Sequence, residues 1–154
     1  MDGYLTVVSK RDVRNYDGRP LPDDAVRRIL EAGRLRELIE RTAEAVYRAA
    51  NLLGAALIVA VVVRGKGPLG LDAGRAAQNM MLAAWSEGIG SCPNGIADAD
   101  TMRATLGIDE DEQVAILISF GYPARARDPQ RRSPEEWIER ADRLPFDEVV
   151  ELRD

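Results

Sequence analysis

Residues 55–63 read AALIVAVVV, an uninterrupted apolar run that is rich in β-branched side chains. A short run that is apolar on both faces predicts a central, buried β-strand. A second run, QVAILISF at residues 113–120, predicts another buried strand. Between the two runs, residues 73–85 carry alanine, methionine and tryptophan at helical spacing, which predicts a helix with one wide apolar face.

Capping residues predict the bounds of the helices around these strands. Asp72 is the predicted N-cap of the helix between the strands, and Gly88 is its predicted end. Asp98 or Asp100 is the predicted N-cap of a short helix that ends near Gly107. The stretch between these two helices, GIGSCPNGI, is predicted to be a loop or a short strand.

The two ends of the chain give less regular patterns. Residues 1–9 fit either an extended arm or the first turns of a helix, and residues 23–50 fit one bent helix or two helices joined at Gly33. Ser133 starts a predicted capping box, with proline next and glutamate at the third position. The alternation in residues 146–153 predicts a terminal strand.

Composition narrows the class of protein. The 154 residues fit one domain, residues 1–154, and the net charge of −5 argues against nucleic-acid binding, which needs a basic face. There is no histidine, so the commonest general base, the usual nucleophile pairs and most zinc sites are removed. We therefore predict no metal site, and, if the protein is an enzyme, a cofactor rather than a catalytic side chain to carry the hard chemistry.

The cellular compartment is predicted from three further features. A single cysteine, Cys92, allows no intrachain disulfide, and it is interpreted as structural because no histidine can activate it. The N-terminal residues lack the basic and apolar regions of a signal peptide. The longest apolar run is too short to cross a bilayer. These features favour a cytoplasmic protein without a membrane partner.

The glycine-rich stretch GKGPLG at residues 65–70 matches the spacing of a dinucleotide-binding loop. Pro68 argues against that interpretation, because it has no N–H for a pyrophosphate. The predicted helix also begins only at Asp72, after the third glycine, whereas the motif needs that glycine inside the helix. A surface loop is the favoured interpretation, and a nucleotide-binding loop is the distant one.

Basic residues are concentrated in two stretches of an acidic chain: Lys10, Arg11, Arg14 and Arg19, and Arg125, Arg127, Arg131 and Arg132. Arginine binds phosphate oxygens through two parallel hydrogen bonds, so two such clusters could converge on one phosphate. The alternative is that both are solvated surface charges. The loop Pro93-Asn94-Gly95 favours a ligand, because Gly95 can expose its backbone N–H.

Several stretches in order resemble the nitroreductase family over nearly the whole chain. They are KRDVRNY at residues 10–16 with PLP at 20–22, AAQNMMLAA at 76–84 with GIGSC at 88–92, and FGYP at 120–123 with Arg131 and Arg132. The resemblance implies an α+β fold, a nitroreductase-like sheet flanked by helices, in an intertwined homodimer that holds FMN at the subunit interface. It further implies an oxidoreductase that passes hydride from NAD(P)H through the flavin to a nitro compound, a quinone or a related small-molecule acceptor.

The same resemblance implies the residues that bind the flavin. Lys10, Arg11 and Arg14 would face its phosphate and ribityl chain, and Arg131 or Arg132 would complete the phosphate site. Gly95, in the loop with Pro93 and Asn94, would bring its N–H to the flavin N5 edge, and Asn51 would face the pyrimidine edge.

Two features depart from the family pattern. Asp12 stands where many members have serine beside the phosphate, and its carboxylate must turn away or pair with an arginine. After Leu35, the loop and strand that normally reach FMN from the opposite subunit are missing, so we predict that the flanking helices run on as one long helix. This loss leaves a second hypothesis open: a non-catalytic relative that has lost flavin or binds another phosphate ligand.

Side chains on the remaining helices have ordinary explanations. Met80, Met81 and Trp85 are predicted to lie in the core or a dimer interface, and Trp137 is predicted to be an interface anchor. Gln78 and Asn79 could contact a ligand, although one of the two is expected to face solvent.

Overall fold

The computed structural model describes residues 2–33, 52, 54–66, 68–141, 144 and 146–151. Within these residues the chain forms six α-helices, three β-strands and one short 3₁₀ turn. They are α1 (Gly3–Ser9), α2 (Asp23–Gly33), β1 (Leu57–Arg64), α3 (Leu69–Ser86), β2 (Gly90–Asn94), α4 (Ala99–Leu106), β3 (Glu112–Gly121), the 3₁₀ turn (Pro129–Arg131), α5 (Pro134–Glu139) and α6 (Phe146–Val149).

The chain divides into two compact units. The larger unit, residues 11–127, contains the sheet and the helices α2, α3 and α4. The smaller unit joins residues 1–10 to residues 128–154, and within it α1 packs against α5. No helix in the part of the chain that the structure describes has the length and apolar character needed to span a bilayer.

The sheet of the larger unit has the order β1-β3-β2, and both neighbours of β3 run antiparallel to it. One face of the sheet packs against α2 and α3, around Ile29, Met80 and Phe120, and these three side chains are fully buried. The opposite face packs against Met102 of α4 and Leu52. This arrangement confirms the predicted α+β class.

The prediction that residues 55–63 form the central strand is wrong, because β3 occupies the centre of the described sheet. The strand itself is present, and its side chains are divided between the two apolar clusters. Val59 and Val61 join the cluster under α2 and α3, whereas Ala60 joins the cluster under α4. Helices on both faces, rather than strands on both edges, therefore explain why this strand is apolar throughout.

Two other predicted boundaries also need correction. Asp72 is not the N-cap of α3, which begins at Leu69 with Pro68 at the N-cap position; the backbone N–H groups of Leu71 and Asp72 donate to the Pro68 carbonyl. Residues 146–149 are helical rather than a strand, so their alternation reflects no pairing to a sheet. The two open choices are settled as well, since residues 3–9 are helical and residues 90–94 form a strand.

The dinucleotide-binding interpretation of residues 65–70 does not match this topology. Gly70 does lie inside α3, contrary to the expected later start. However, β1 and β2, which precede and follow α3, are separated by β3 and are not neighbours in the sheet. The nucleotide fingerprint belongs to a unit of adjacent parallel strands. Gly67 lies outside the described residues.

Local capping chemistry accounts for the helix ends that the sequence predicts correctly. Ser133 accepts a hydrogen bond from the Glu136 N–H at 3.2 Å while the Glu136 carboxylate accepts one from the Ser133 N–H at 2.8 Å. Asp98 caps α4 by accepting from the N–H groups of Asp100 and Thr101, and Gly107 ends α4 in the left-handed region with φ of +59°.

Asp98 gives a prediction on acid stability. Hydrogen bonds from Thr101, first from its backbone N–H, hold the pKa of the Asp98 carboxyl below its ordinary value of 3.8. Because the folded pKa is the lower one, the cap stabilises the protein at pH values above 3.8 and this contribution is lost as the pH falls. We expect Asp98→Ala to lower the Tm at pH 7 by about 2–4 °C.

The matched variant Asp98→Asn keeps an acceptor at the N-cap but cannot titrate. We expect its Tm at pH 7 to stay close to that of the natural chain, while its Tm depends less on pH between neutrality and pH values near 3. Thermal unfolding at several pH values measures both effects. A Tm for Asp98→Ala equal to that of the natural chain at pH 7 would contradict the account.

Candidate functional site

Two glycines at one end of the sheet leave room for other residues to pack directly against the backbone. Gly90 of β2 and Gly121 of β3 are cross-strand partners. A methyl group on Gly90 would lie 2.7 Å from the Val13 Cβ, and one on Gly121 would lie 2.7 Å from the Tyr16 Cδ1. Contacts this close mean that Val13 and Tyr16 sit directly on the glycine pair, in space that any side chain would fill. We call Gly90 and Gly121 together the glycine seat.

The basic segment, defined here as residues 11–17, is held on the glycine seat by backbone hydrogen bonds. The Val13 N–H donates to the Ser91 carbonyl at 2.9 Å, next to a bridge between Asp12 and Ser91. Farther along, the Asp17 N–H donates to the Tyr122 carbonyl at 3.0 Å. The segment therefore lies along the edge of β2 and continues past the end of β3.

Tyr16 adds a side-chain anchor to the basic segment. Its hydroxyl lies 2.8 Å from the Val13 carbonyl and 2.9 Å from the Ser119 Oγ. Burial raises the pKa of the Tyr16 phenol well above its usual range, so the hydroxyl keeps its proton at any physiological pH. Tyr16 consequently acts as a neutral hydrogen-bonding group inside the protein.

The charges of the basic segment remain at the surface. Arg14 is exposed and Arg11 is partly exposed. The Asp12 carboxylate lies 3.7 Å from the Arg14 guanidinium. Asp12, which departs from the family pattern, therefore pairs with an arginine. Arg19, just after the segment, pairs with Asp17 at 2.7 Å and lies over the Tyr122 ring at 4.5 Å. These arginines therefore place positive charge at the surface of this edge.

Pro93 and Asn94, which the sequence places in a loop with Gly95, are the last two residues of β2 and pair with Ile118 and Leu117 of β3. Asn94 is buried, and its Nδ2 donates to the Cys92 carbonyl at 2.9 Å. Gly95 is exposed immediately after β2 ends. Gly95 lies four positions after Ser91, which in extended chain is about 13 Å. The larger unit thus contains Arg11, Arg14 and Gly95.

The other predicted phosphate ligands belong to the smaller unit. Lys10 lies at the C-cap of α1, Arg131 is exposed in the 3₁₀ turn, and Arg132 lies over the Trp137 ring at 5.0 Å. The Trp137 indole N–H donates to the Pro129 carbonyl at 2.8 Å, so this ring anchors the 3₁₀ turn within its own unit. That the two arginine clusters meet around one phosphate stays a prediction.

Two predictions fall outside the described residues. Asn51 is one of them, and the long helix expected after Leu35, where the family's loop and strand are missing, is the other. The described part of that region is α2, which ends at Gly33.

The exposed face of α3 explains Gln78 and Asn79. Both side chains are exposed and line an open groove of about 350 Å³, together with Gly70, Leu71, Gly74 and Arg75. The groove is built from α3 alone. Met80, Met81 and Trp85 lie on the buried face of the same helix, which confirms that they belong to the core. Cys92 is buried in β2, as its structural interpretation predicts.

The residues that sequence reasoning missed are those beneath the basic segment. In the sequence Tyr16 is only part of a motif, and nothing there assigns a role to Gly90, Gly121 or Ser119. Their sequence pattern was visible: small residues stand where apolar strands end or where an apolar run is interrupted. The pattern did not reveal which strands pair or what covers them.

Comparison with known proteins supports the fold and the resemblance. The family model described as "Nitroreductase family" matches residues 47–122. A protein of Archaeoglobus fulgidus named "Putative NADH dehydrogenase/NAD(P)H nitroreductase" is 26% identical over 167 aligned positions, which cover 85% of this chain and 96% of that protein. The alignment is longer than this chain, so the relative has residues that this chain lacks.

Solved structures agree over the full length. The structure of a nitroreductase family protein from Clostridium difficile 630 superposes with a TM-score of 0.80 at 18% identity, covering 100% of this chain and 99% of that one. A "putative nitroreductase in complex with fmn" from Desulfovibrio desulfuricans superposes with a TM-score of 0.79 at 24% identity, covering 100% and 98%.

The fold is thus that of an α+β protein of the nitroreductase type. The resemblance to the nitroreductase family that the sequence motifs indicate is confirmed, by the family model over the centre of the chain and by the fold over its whole length.

Proposed function

We propose that this chain is an FMN-dependent oxidoreductase that takes hydride from NAD(P)H and reduces a small acceptor such as a quinone or a nitro compound. One observation carries the proposal. The hydrogen bond from the Val13 N–H to the Ser91 carbonyl holds two arginines beside the strand whose end exposes Gly95. The arginines of the proposed phosphate site and the backbone amide of Gly95 therefore belong to the same compact unit.

The residues present fit the chemistry of FMN. Guanidinium groups of Arg11 and Arg14 match a phosphate dianion in charge and hydrogen-bonding geometry. Gly95 has no side chain to keep a planar ring from its amide. The separation of about 13 Å along the strand between Ser91 and Gly95 is one that a ribityl chain and ring can bridge. Asp12 reduces the net positive charge here, but its pairing with Arg14 turns the carboxylate toward a cation.

FMN, when bound, supplies the hydride chemistry. The protein groups then have three tasks that need no titrating side chain. Arg11 and Arg14 neutralise the phosphate, the Gly95 N–H contacts the polar edge of the ring, and the glycine seat fixes the distance between them. This division of labour agrees with a chain that has no histidine.

Two names among the relatives support the cofactors. The Archaeoglobus fulgidus protein carries NADH and NAD(P)H in its name, and the Desulfovibrio desulfuricans structure contains FMN. Both relatives match nearly the whole chain, so the proposal transfers a role between proteins of the same fold rather than between fragments.

A homodimer completes the proposal. Exposed large apolar side chains are concentrated in the smaller unit. Those in this unit are Tyr4, Val7, Ile138, Leu144, Val149 and Val150. Such a concentration is typical of a surface that is covered by a partner. We propose that a second copy covers it and that Lys10, Arg131 and Arg132 add to the phosphate site in that assembly.

The proposal is tested with the full chain after incubation with FMN and removal of free flavin. We expect a yellow protein whose flavin absorption is bleached by NADH or NADPH and restored by a quinone. Steady oxidation of the nicotinamide should require both FMN and the quinone. A protein that retains FMN but shows no bleaching would support the alternative.

That alternative is a non-catalytic relative that binds flavin or another phosphate ligand without turnover. The observation that favours it is the length difference, because the Archaeoglobus fulgidus relative has residues that this chain lacks. Analytical ultracentrifugation in the same experiment separates a monomer from the proposed dimer. A colourless protein that takes up no FMN would remove the main proposal.

A further inference from the structure

We infer that Tyr16 is a positioning residue that fixes Arg14 for phosphate binding. The inference rests on the proposed function for its ligand. The buried Tyr16 hydroxyl fixes Arg14 in the same way whichever phosphate compound is bound.

The hydroxyl of Tyr16 closes a small loop around Arg14. It lies 2.8 Å from the carbonyl of Val13, the residue that precedes Arg14. Val13 is itself fixed from its other side, since its N–H donates to the Ser91 carbonyl. The backbone around Arg14 is therefore fixed before the arginine by Val13 and after it by Tyr16. This restraint lowers the entropy that the arginine loses when it binds an anion.

The Tyr16 hydroxyl has one proton and two carbonyl acceptors, Val13 at 2.8 Å and Ser119 at 3.2 Å. The shorter distance makes the Val13 carbonyl the better acceptor. The Tyr16 oxygen can then accept the proton of the Ser119 Oγ, which lies 2.9 Å away. The Tyr16 phenol stays neutral because burial raises its pKa well above its usual range. The pair is thus a fixed structural contact and does not depend on pH.

The Ser119 hydroxyl also lies near the end of β2. Its Oγ is 3.3 Å from the Cys92 carbonyl, and the same carbonyl accepts from the Asn94 Nδ2 at 2.9 Å. Ser119 has one hydroxyl proton, which serves either Tyr16 or the Cys92 carbonyl but not both. The two hydroxyl groups therefore lie between the basic segment and β2.

The test compares FMN with riboflavin, which lacks the phosphate. Equilibrium binding of each is measured by flavin fluorescence for the natural chain, for Tyr16→Phe and for the control Tyr122→Phe, which keeps the ring under Arg19. For Tyr16→Phe we expect the Kd of FMN to rise about tenfold and the Kd of riboflavin to change by less than about twofold. Tyr122→Phe should leave both unchanged.

A merely structural role for Tyr16 would weaken both flavins equally, and that result would overturn the inference. An unchanged Kd of FMN in Tyr16→Phe would overturn it as well. The variant Ser119→Ala, which removes the partner hydroxyl, is expected to show the same selective loss for FMN to a smaller extent.

A second measurement needs no flavin. Trypsin cleaves after exposed arginines when the chain around them opens locally. We expect cleavage after Arg14 to be about tenfold faster in Tyr16→Phe than in the natural chain, since one hydrogen-bonded anchor is lost. If the natural chain binds no flavin, the proposed function fails while this measurement still decides the positioning role. Equal cleavage rates would show that Tyr16 does not hold the segment.

Discussion

Replacing Gly121 with alanine is expected to weaken FMN binding by about tenfold to a hundredfold and to destabilise the fold by about 1–3 kcal/mol. The added methyl group would lie 2.7 Å from the Tyr16 Cδ1 and 2.8 Å from its Cγ. The ring has little freedom to move away, because its hydroxyl is held by Val13 and Ser119. The basic segment must therefore shift, and Arg14 shifts with it.

The effect of Gly121→Ala is steric, because Gly121 is not among the glycines with positive φ. Gly90→Ala gives the companion result, since its methyl group would meet the Val13 Cβ at 2.7 Å. Gly74→Ala is the matched control. It lies in α3 with nothing within 4 Å of the added atom, and it should raise stability by about 0.5–1 kcal/mol.

Chemical denaturation and FMN titration of the three glycine variants measure these effects. If Gly121→Ala bound FMN as tightly as the natural chain, the glycine seat would have no part in placing the basic segment. Equal losses of stability in Gly74→Ala and Gly121→Ala would likewise refute a specific steric clash.

Reversing the charge of two arginines is expected to give the largest loss of flavin binding. In the double variant Arg11→Glu, Arg14→Glu, we expect the Kd of FMN to rise by more than about a hundredfold, because each hydrogen bond to a charged partner contributes about 1.5–3 kcal/mol. Riboflavin binding should change far less, since riboflavin carries no phosphate. The free energy of unfolding should change by about 0.5 kcal/mol or less, as is usual for surface substitutions.

Arg75→Glu, on the exposed face of α3, is the control for an altered net charge. Asp12→Asn tests the opposite direction, because it removes the carboxylate that lies 3.7 Å from Arg14. We expect Asp12→Asn to tighten FMN binding severalfold, in line with the modest energy of exposed ion pairs. Parallel losses of FMN and riboflavin in the double variant would mean that the arginines do not serve the phosphate.

The strands and helix caps could be predicted because their causes are local. The apolar, β-branched residues of the run AALIVAVVV are enough to predict a buried strand. Asp98 and Ser133 cap their helices by accepting hydrogen bonds from N–H groups of the next turn. These features depend on residues within a few positions of one another. The same holds for Gly107, whose left-handed conformation ends α4.

The arrangement of the strands could not be predicted by the same means. A strand that is apolar on both faces is equally compatible with the centre and the edge of a sheet, if helices cover both sides. Here Ala60 and Val61 point into different clusters, so β1 is buried at an edge. The prediction of a strand at residues 146–153 was wrong because a short alternating pattern is a weak signal, and residues 146–149 pair with no strand among those that the structure describes.

The sequence predicted the charged residues of the candidate site but not the residues that hold them in place. Arg11, Arg14 and Gly95 were found from residue type and family resemblance. The glycine seat depends on Gly90 pairing with Gly121 and on Tyr16 reaching Ser119, which is 103 positions away along the chain. Contacts of such long sequence separation follow from strand register, and a single sequence does not specify it.

The most direct measurement is a titration of the natural chain with FMN, in which binding is monitored by the quenching of flavin fluorescence. The account predicts saturable binding with one FMN for each chain, weakened by added salt because a phosphate is held by exposed arginines. Binding that does not saturate, or that is as tight for riboflavin as for FMN and indifferent to salt, would contradict the central claim that the basic segment holds a flavin phosphate.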